Sequence, residues 1–186
     1  MFYYDGILRN STIEFFGNLA PFHNRLAQIY AESAFNARAV SDFGGWRKAG
    51  LDTASAILQR KGAAGLCQFI WPTAKDYGAM KVEELFDPWW AVPRMCRYMR
   101  DIKLVLARTK NPDGRRRLQV DRQFMEYVTT ASYNTGQGRI LDRMNRHGDS
   151  WETIKGSILP EPREYAEKIW RLAETFRNTG RWALVR

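Results

Sequence analysis

Glu32, within Tyr30-Ala31-Glu32-Ser33-Ala34-Phe35-Asn36, is the residue of this chain best suited to moving a proton. It stands at the close of an amphipathic pattern and precedes a glycine-punctuated run, Gly62-Ala63-Ala64-Gly65-Leu66-Cys67-Gln68-Phe69-Ile70-Trp71-Pro72-Thr73-Ala74, with one amide side chain, Gln68. A lone carboxyl group beside a loop of backbone donors and acceptors suits general acid and base work on a polar substrate. Partial burial of such a group disfavours its charged form and keeps a proton available near neutral pH. The competing reading is a solvated helix glutamate, the ordinary fate of this residue type. Gln68 offers both a donor and an acceptor, and its plain reading is a structural amide that satisfies loop backbone. Tyr133 and Asn134 end a later helical pattern beside Gly136, where side chains can face a groove. Tyr133 is either a partner of Glu32 or the substrate, or a core tyrosine with a satisfied hydroxyl.

The elements that must hold these residues are helical. Phe22, Leu26, Ile29, Tyr30 and Ser33 recur at three- and four-residue steps before Glu32, and Pro21 suits the helix start. The run from Ala63 is expected to turn into a short helix at Pro72 that stops at Gly78. Asp87-Pro88 reads as a cap and first-turn proline for a helix reaching about Ala107, with Trp90, Met95, Cys96, Met99, Ile102, Val105 and Leu106 inside. Pro93 either kinks that helix or marks its true beginning. Leu118, Phe124, Tyr127, Val128 and Ala131 share one side of the next, which Gly136 and Gly138 break. Ile140, Leu141 and Met144 continue a short helix to Gly148; Asp149-Ser150-Trp151-Glu152 has capping-box spacing and opens another. Pro162 starts the last, with a stripe of Tyr165, Ile169, Leu172 and Phe176, and Gly180 ends it. Residues 2–20 are too apolar for a free tail and are expected to pack on the domain. Residues 42–62 read as glycine turns with a short helix over 53–59, and Trp46 there either stacks on a ligand ring or caps the core. No alternating strand pattern appears, so the class is mainly α, one domain over residues 1–186.

Taken together and in order, Glu32-Ser33 with Phe35-Asn36 and Ser41, Gly62 through Gln68, Pro72-Thr73-Ala74, and Ala131-Ser132-Tyr133-Asn134-Thr135-Gly136 resemble the motifs of the soluble lytic transglycosylase family. That family reads Glu-Ser-x-Phe-Asn, then Gly-Ala-x-Gly-Leu-Met-Gln with Pro-x-Thr-Ala, then Ala-Tyr-Asn-x-Gly. Each motif alone recurs by chance. Their order, with Asp87-Pro88 between the second and third and Leu159-Pro160 through Tyr165 behind, is specific and covers residues 22–175. The resemblance implies a lysozyme-like fold, with helices flanking a glycan-binding cleft and the Glu32 helix on one wall. It implies Glu32 as the catalytic residue and Ser33, Gln68, Tyr133 and Asn134 as substrate-binding residues, with Asn134 holding either an acetamido group or the loop itself. Two departures stand out. Gly65 follows Glu32 by 33 residues, roughly double the family spacing, so residues 42–62 form an inserted segment near the cleft that takes the place of a small β-hairpin. Cys67 replaces the family's Met, and Ser132 an Ala.

The chemistry implied is cleavage of the β-1,4 bond between MurNAc and GlcNAc in peptidoglycan, giving 1,6-anhydroMurNAc. Hydrolases of such bonds normally use two carboxylates. The motif set contains one, which agrees with the resembled family, where the substrate's own N-acetyl group and 6-hydroxyl take the second role. A hydrolytic muramidase using Glu32 with Asp42 or Asp52 is the rival enzyme. The rival of another class is an inactive basic structural or nucleic-acid-binding virion protein.

Composition bounds these readings. The 186 residues suffice for one domain with a sizeable core. With 29 Lys and Arg against 20 Asp and Glu, the formal charge of +9 points to a polyanionic partner, cell wall or nucleic acid. The ordered motifs favour peptidoglycan over nucleic acid. No apolar run is long enough to span a membrane, and the residues after Met1 lack the layout of a secretory signal. Cys67 and Cys96 read as packed thiols rather than a disulfide, and His23 and His147 have no metal-ligand spacing, so neither metal nor cofactor is expected. The expectation is a monomer acting on the bacterial cell wall, and by analogy a phage-encoded one.

Overall fold

A computed structural model describes residues 4–17, 21–42, 45–110, 114 and 121–179. The elements are helical, and among the described residues the only β pairing is two isolated antiparallel bridges, Val40 with Ala64 and Ala64 with Phe69. The chain forms two compact units, Met1–Cys96 with Thr179–Arg186, and Arg97–Asn178.

In the first unit, α1 (Asp5–Phe16) turns Ile7, Leu8, Ser11 and Thr12 inward, one face at helical spacing, and packs against α2 (Phe22–Ser33). The Arg9 guanidinium lies 4.0 Å over the Phe22 ring. Residues 5–16 of the N-terminal stretch thus form a regular helix packed on α2. Pro21 is the N-cap of α2, one residue outside the predicted position. Burial on α2 is wider than its apolar stripe: Asn24, Arg25 and Gln28 are buried beside Leu26, Ala27 and Ile29, and Arg25 Nη1 donates to Gln28 Oε1 at 2.8 Å.

Residues 42–62 contain α3 (Thr53–Leu58), capped by Asp52, whose carboxylate accepts from the Ser55 N–H at 2.9 Å and hydroxyl at 2.7 Å. The base of the segment is stitched by Ser41 N to Ala63 O, 3.0 Å, and Ala63 N to Ser41 Oγ, 2.9 Å. Trp46 is buried with its indole N–H on Ser41 O at 3.0 Å, so of the two readings it is the core cap. The short α4 (Trp71–Asp76) has Pro72 in its first turn and stops before Gly78, as predicted. A 3-10 turn, Val82–Phe86, leads to Asp87, whose carboxylate accepts from Trp89 N at 3.0 Å and so caps α5 (Pro88–Arg108). Pro93 is interior to α5, whose start is Pro88. Met95, Cys96, Met99, Ile102 and Leu106 are buried, whereas Val105, expected inside, is 38% exposed.

In the second unit, Asp121 caps α6 (Arg122–Thr135) through Phe124 N at 2.8 Å, and Phe124, Val128 and Ala131 are buried. Glu126, 4% exposed, is neutralised by Lys103 of α5 at 3.1 Å. Gly136, at φ +90°, breaks α6, but Gly138 does not: it lies in the first turn of α7 (Gln137–His147). The cap of the one-turn α8 (Trp151–Ile154) is Ser150. A 3-10 turn (Lys155–Ser157) precedes α9, which begins at Pro160, two residues earlier than expected, and runs to Thr179. Its inward stripe is Pro162, Ala166, Ile169, Ala173 and Phe176, so Tyr165 and Leu172 only flank it. Tyr127 is stacked against Trp151 (4.7 Å) and Trp170 (5.3 Å), which ties α6 to α8 and α9. The expectations for Leu118 and Gly180 lie outside the described residues.

Candidate active site

Glu32 is the penultimate residue of α2 and is half-buried. The helix stops because Ala34 and Phe35 both take left-handed backbone, φ +50° and +65°, with the Ala34 N–H on Tyr30 O at 2.8 Å. Two successive non-glycine residues in that region are costly and persist only where the surroundings enforce them. Here Phe35 folds its ring back onto Tyr30, with centroids 5.3 Å apart, and Asn36 N bonds Ser33 O at 2.9 Å. The chain is thereby turned so that residues 39–41 run alongside 63–65.

That second strand of the site is a closed loop. Ala64 and Phe69 exchange backbone hydrogen bonds at 3.1 and 3.2 Å, and Gly65 N donates to Ala39 O at 2.9 Å. Gly65, at φ +76°, is required twice over: a Cβ there would lie 1.8 Å from the Leu85 carbonyl oxygen. Gln68, also left-handed at φ +48°, sends its Nε2 to Ala39 O at 3.1 Å and Gly65 O at 2.8 Å. The amide nitrogen therefore satisfies loop backbone, and the side-chain oxygen makes no hydrogen bond with a described residue. Ser33 is buried and its hydroxyl donates to Ile29 O at 3.0 Å.

Between Gly65 and Gln68, Cys67 is fully buried and in no disulfide. Burial holds its thiol well above the ordinary range, with added push from Cys96 and from the Glu32 carboxylate, so the loop tip lies within electrostatic reach of Glu32. Burial also raises Cys96, to about 12, against the lowering pull of Arg25. Both thiols stay protonated in the fold, whereas an unfolded thiol ionises near pH ~8.5. The folded pKa values being raised, this contribution to stability is complete below pH ~8.5 and is lost as pH climbs toward the folded values. Urea midpoints are expected to fall between pH 8 and pH 10.5, and the fall is expected to shrink in a Cys67→Ala/Cys96→Ala variant. An equal fall in both proteins excludes the thiols as its cause.

The two other carboxylates weighed for this site have local duties. Asp42 Oδ1 accepts from Trp46 N at 2.8 Å, and Asp52 caps α3, its bonds from Ser55 holding its pKa below the usual carboxylate range. In the second unit, Tyr133 is half-buried near the end of α6 with its ring 5.4 Å from that of Tyr98, and Asn134 is exposed beside it. The structure thus brings together Glu32, Ser33 and the Gln68 loop in one unit and sets Tyr133 with Asn134 in the other. Sequence reasoning missed Ala39, Leu85 and Tyr98; the demand for glycine at position 65 was the sole local sign that some backbone approaches there.

The family model of the Transglycosylase SLT domain matches residues 25–153, most of the chain, from the first turn of α2 into α8. No curated protein matches the chain.

Proposed function

The chain belongs to the Transglycosylase SLT domain family, a lysozyme-like fold whose activity is lytic transglycosylation of peptidoglycan, and on that premise we propose Glu32 as its single catalytic acid and base. The observation that supports this is the half-buried carboxyl group at the closing turn of α2, with the Cys67-Gln68 loop hydrogen-bonded to the residues that follow it. Glu32 protonates the oxygen leaving C1 of MurNAc as the β-1,4 bond to GlcNAc breaks. The substrate's N-acetyl group steadies the positive charge at C1. The Glu32 carboxylate then takes the proton of the 6-hydroxyl as that oxygen bonds to C1, which closes the 1,6-anhydro ring and restores the acid. Neither water nor a cofactor is consumed. Gln68 presents its side-chain oxygen to the glycan and Ser33 shapes the helix end, while Asn134 and Tyr133 of the second unit are assigned to substrate binding on the family motif alone. The two units are read as parts of one domain, because the family match runs across both.

A hydrolytic route needs a second carboxylate, and the candidates Asp42 and Asp52 are engaged with backbone N–H groups of their own segment. Asp42→Asn and Asp52→Asn are therefore expected to keep turnover within a factor of about three, since neither removes a group that moves charge in the reaction. Mass analysis of digested sacculi decides the reaction type: anhydro-ended fragments are expected, and reducing ends heavier by one water would establish hydrolysis instead.

A further inference from the structure

The second unit contains a cavity of about 490 Å³ to which the catalytic assignment gives no role. It opens where α6 passes into α7 and where α9 begins, and its size lies within the ~300–1,000 Å³ of small-ligand sites. Arg139 and Arg143, one turn apart on α7, both line it, so their guanidinium groups share one face. Arg143 is half-buried and makes no hydrogen bond or ion pair with a described residue. Arg139 spends one N–H on Thr135 Oγ1, at 3.3 Å. Asp142 is the carboxylate on the wall, and it is held by Arg146 at 2.9 Å, which leaves the two other arginines as net positive charge. The first turn of α7 adds to this. Its N-cap is Gly136, with no side-chain cap, and Gly138 presents its backbone to open space.

Ile158, Leu159 and Pro162 add an apolar share of the lining, with Leu159 60% exposed. Two guanidinium groups sharing a cavity with small aliphatic side chains select a carboxylate carried close to methyl groups. The sugar rings offer no such group, and the lactyl carboxyl is spent in its amide bond to the stem peptide. A phosphodiester polymer meets the arginines but leaves the aliphatic side chains unmatched. We infer that this cavity is a subsite for the stem peptide of the substrate, the short chain of alanine and carboxylate-bearing residues on the lactyl arm of muramic acid. The inference rests on peptidoglycan being the substrate, and its failure is separable from failure of the catalytic assignment.

The test has a binding arm and a turnover arm. A free stem tripeptide (L-Ala, γ-D-Glu, meso-diaminopimelate) is titrated by calorimetry into the full chain carrying Glu32→Gln. Saturable binding is expected, weakened about tenfold by Arg143→Gln and further by adding Arg139→Gln, as loss of charge-assisted bonds implies. Leu159→Glu, which places a negative charge at the mouth of the cavity, is expected to weaken binding too and serves if an arginine variant folds poorly. In the active protein, Arg143→Gln is expected to raise KM on intact sacculi by the same factor with kcat unchanged, and to raise it by a smaller factor on amidase-stripped glycan strands, which keep only the lactyl carboxylate. The inference is overturned if the tripeptide does not bind, if the double variant binds it equally, or if stripped strands suffer the same loss. Arg143-dependent binding of a glycerol-phosphate oligomer or a DNA duplex in preference to the tripeptide overturns it as well. If the wild-type chain digests neither substrate, the catalytic assignment falls, while the titration still decides the subsite.

Discussion

Glu32→Gln is expected to lower peptidoglycan turnover by about a hundred- to ten-thousand-fold, the usual worth of a positioned acid and base. The amide keeps the shape and much of the hydrogen-bonding capacity of the acid but has no acidic proton to give the leaving oxygen. Because Glu32 is only half-buried at the last turn of α2, the replacement should leave the helix end intact. The unfolding free energy is then expected to stay within about 0.5 kcal/mol of wild type, as for most surface substitutions. KM should change little, since the proton transfer stabilises the transition state and not the bound substrate. Turbidity assays on purified cell walls with unfolding curves on the same samples test both halves. A variant that clears walls at the wild-type rate removes Glu32 from catalysis, and one that loses activity only together with stability makes it structural.

Gly65→Ala is expected to be the most destabilising single methyl in the first unit. The added Cβ would sit 1.8 Å from Leu85 O, a backbone atom that cannot rotate away, and φ +76° is itself unfavourable for alanine. Left-handed strain of about 1–3 kcal/mol and an overpacking cost of about 1–3 kcal/mol add to roughly 2–6 kcal/mol. For a domain of this size that lowers the melting temperature by about 2–4 °C per kcal/mol. The comparison is Gly78→Ala: φ +91° but open space around the new carbon, so only the strain term remains. Equal melting temperatures for the two variants would show that Leu85 yields. Activity of Gly65→Ala below its melting point is expected to fall as well, because Gly65 bonds Ala39 and supports Gln68.

Much of this molecule was legible along the chain. The stripe before Glu32, the cap at Asp87, the proline at 72 and the glycines at 78, 136 and 148 each act within a few residues, so local order reports them correctly. The order of the Glu32, Gln68 and Tyr133 motifs likewise pointed to the family whose model matches residues 25–153. The rest was decided by contacts between segments distant in sequence. Gln68 Nε2 turns to Ala39 O, 29 residues earlier, because Gly65 admits the 3-10 turn of Leu85 and closes the loop against residues 39–41. Arg25, a charged residue on the stripe between Phe22 and Ile29, is fully buried, with Cys96 of α5 within reach of its charge. Arg143 borders a cavity whose lining Ile158, Leu159 and Pro162 complete from around the start of α9. Periodicity states which side of a helix avoids water; only chain closure in three dimensions states which backbone atom or charge it meets there.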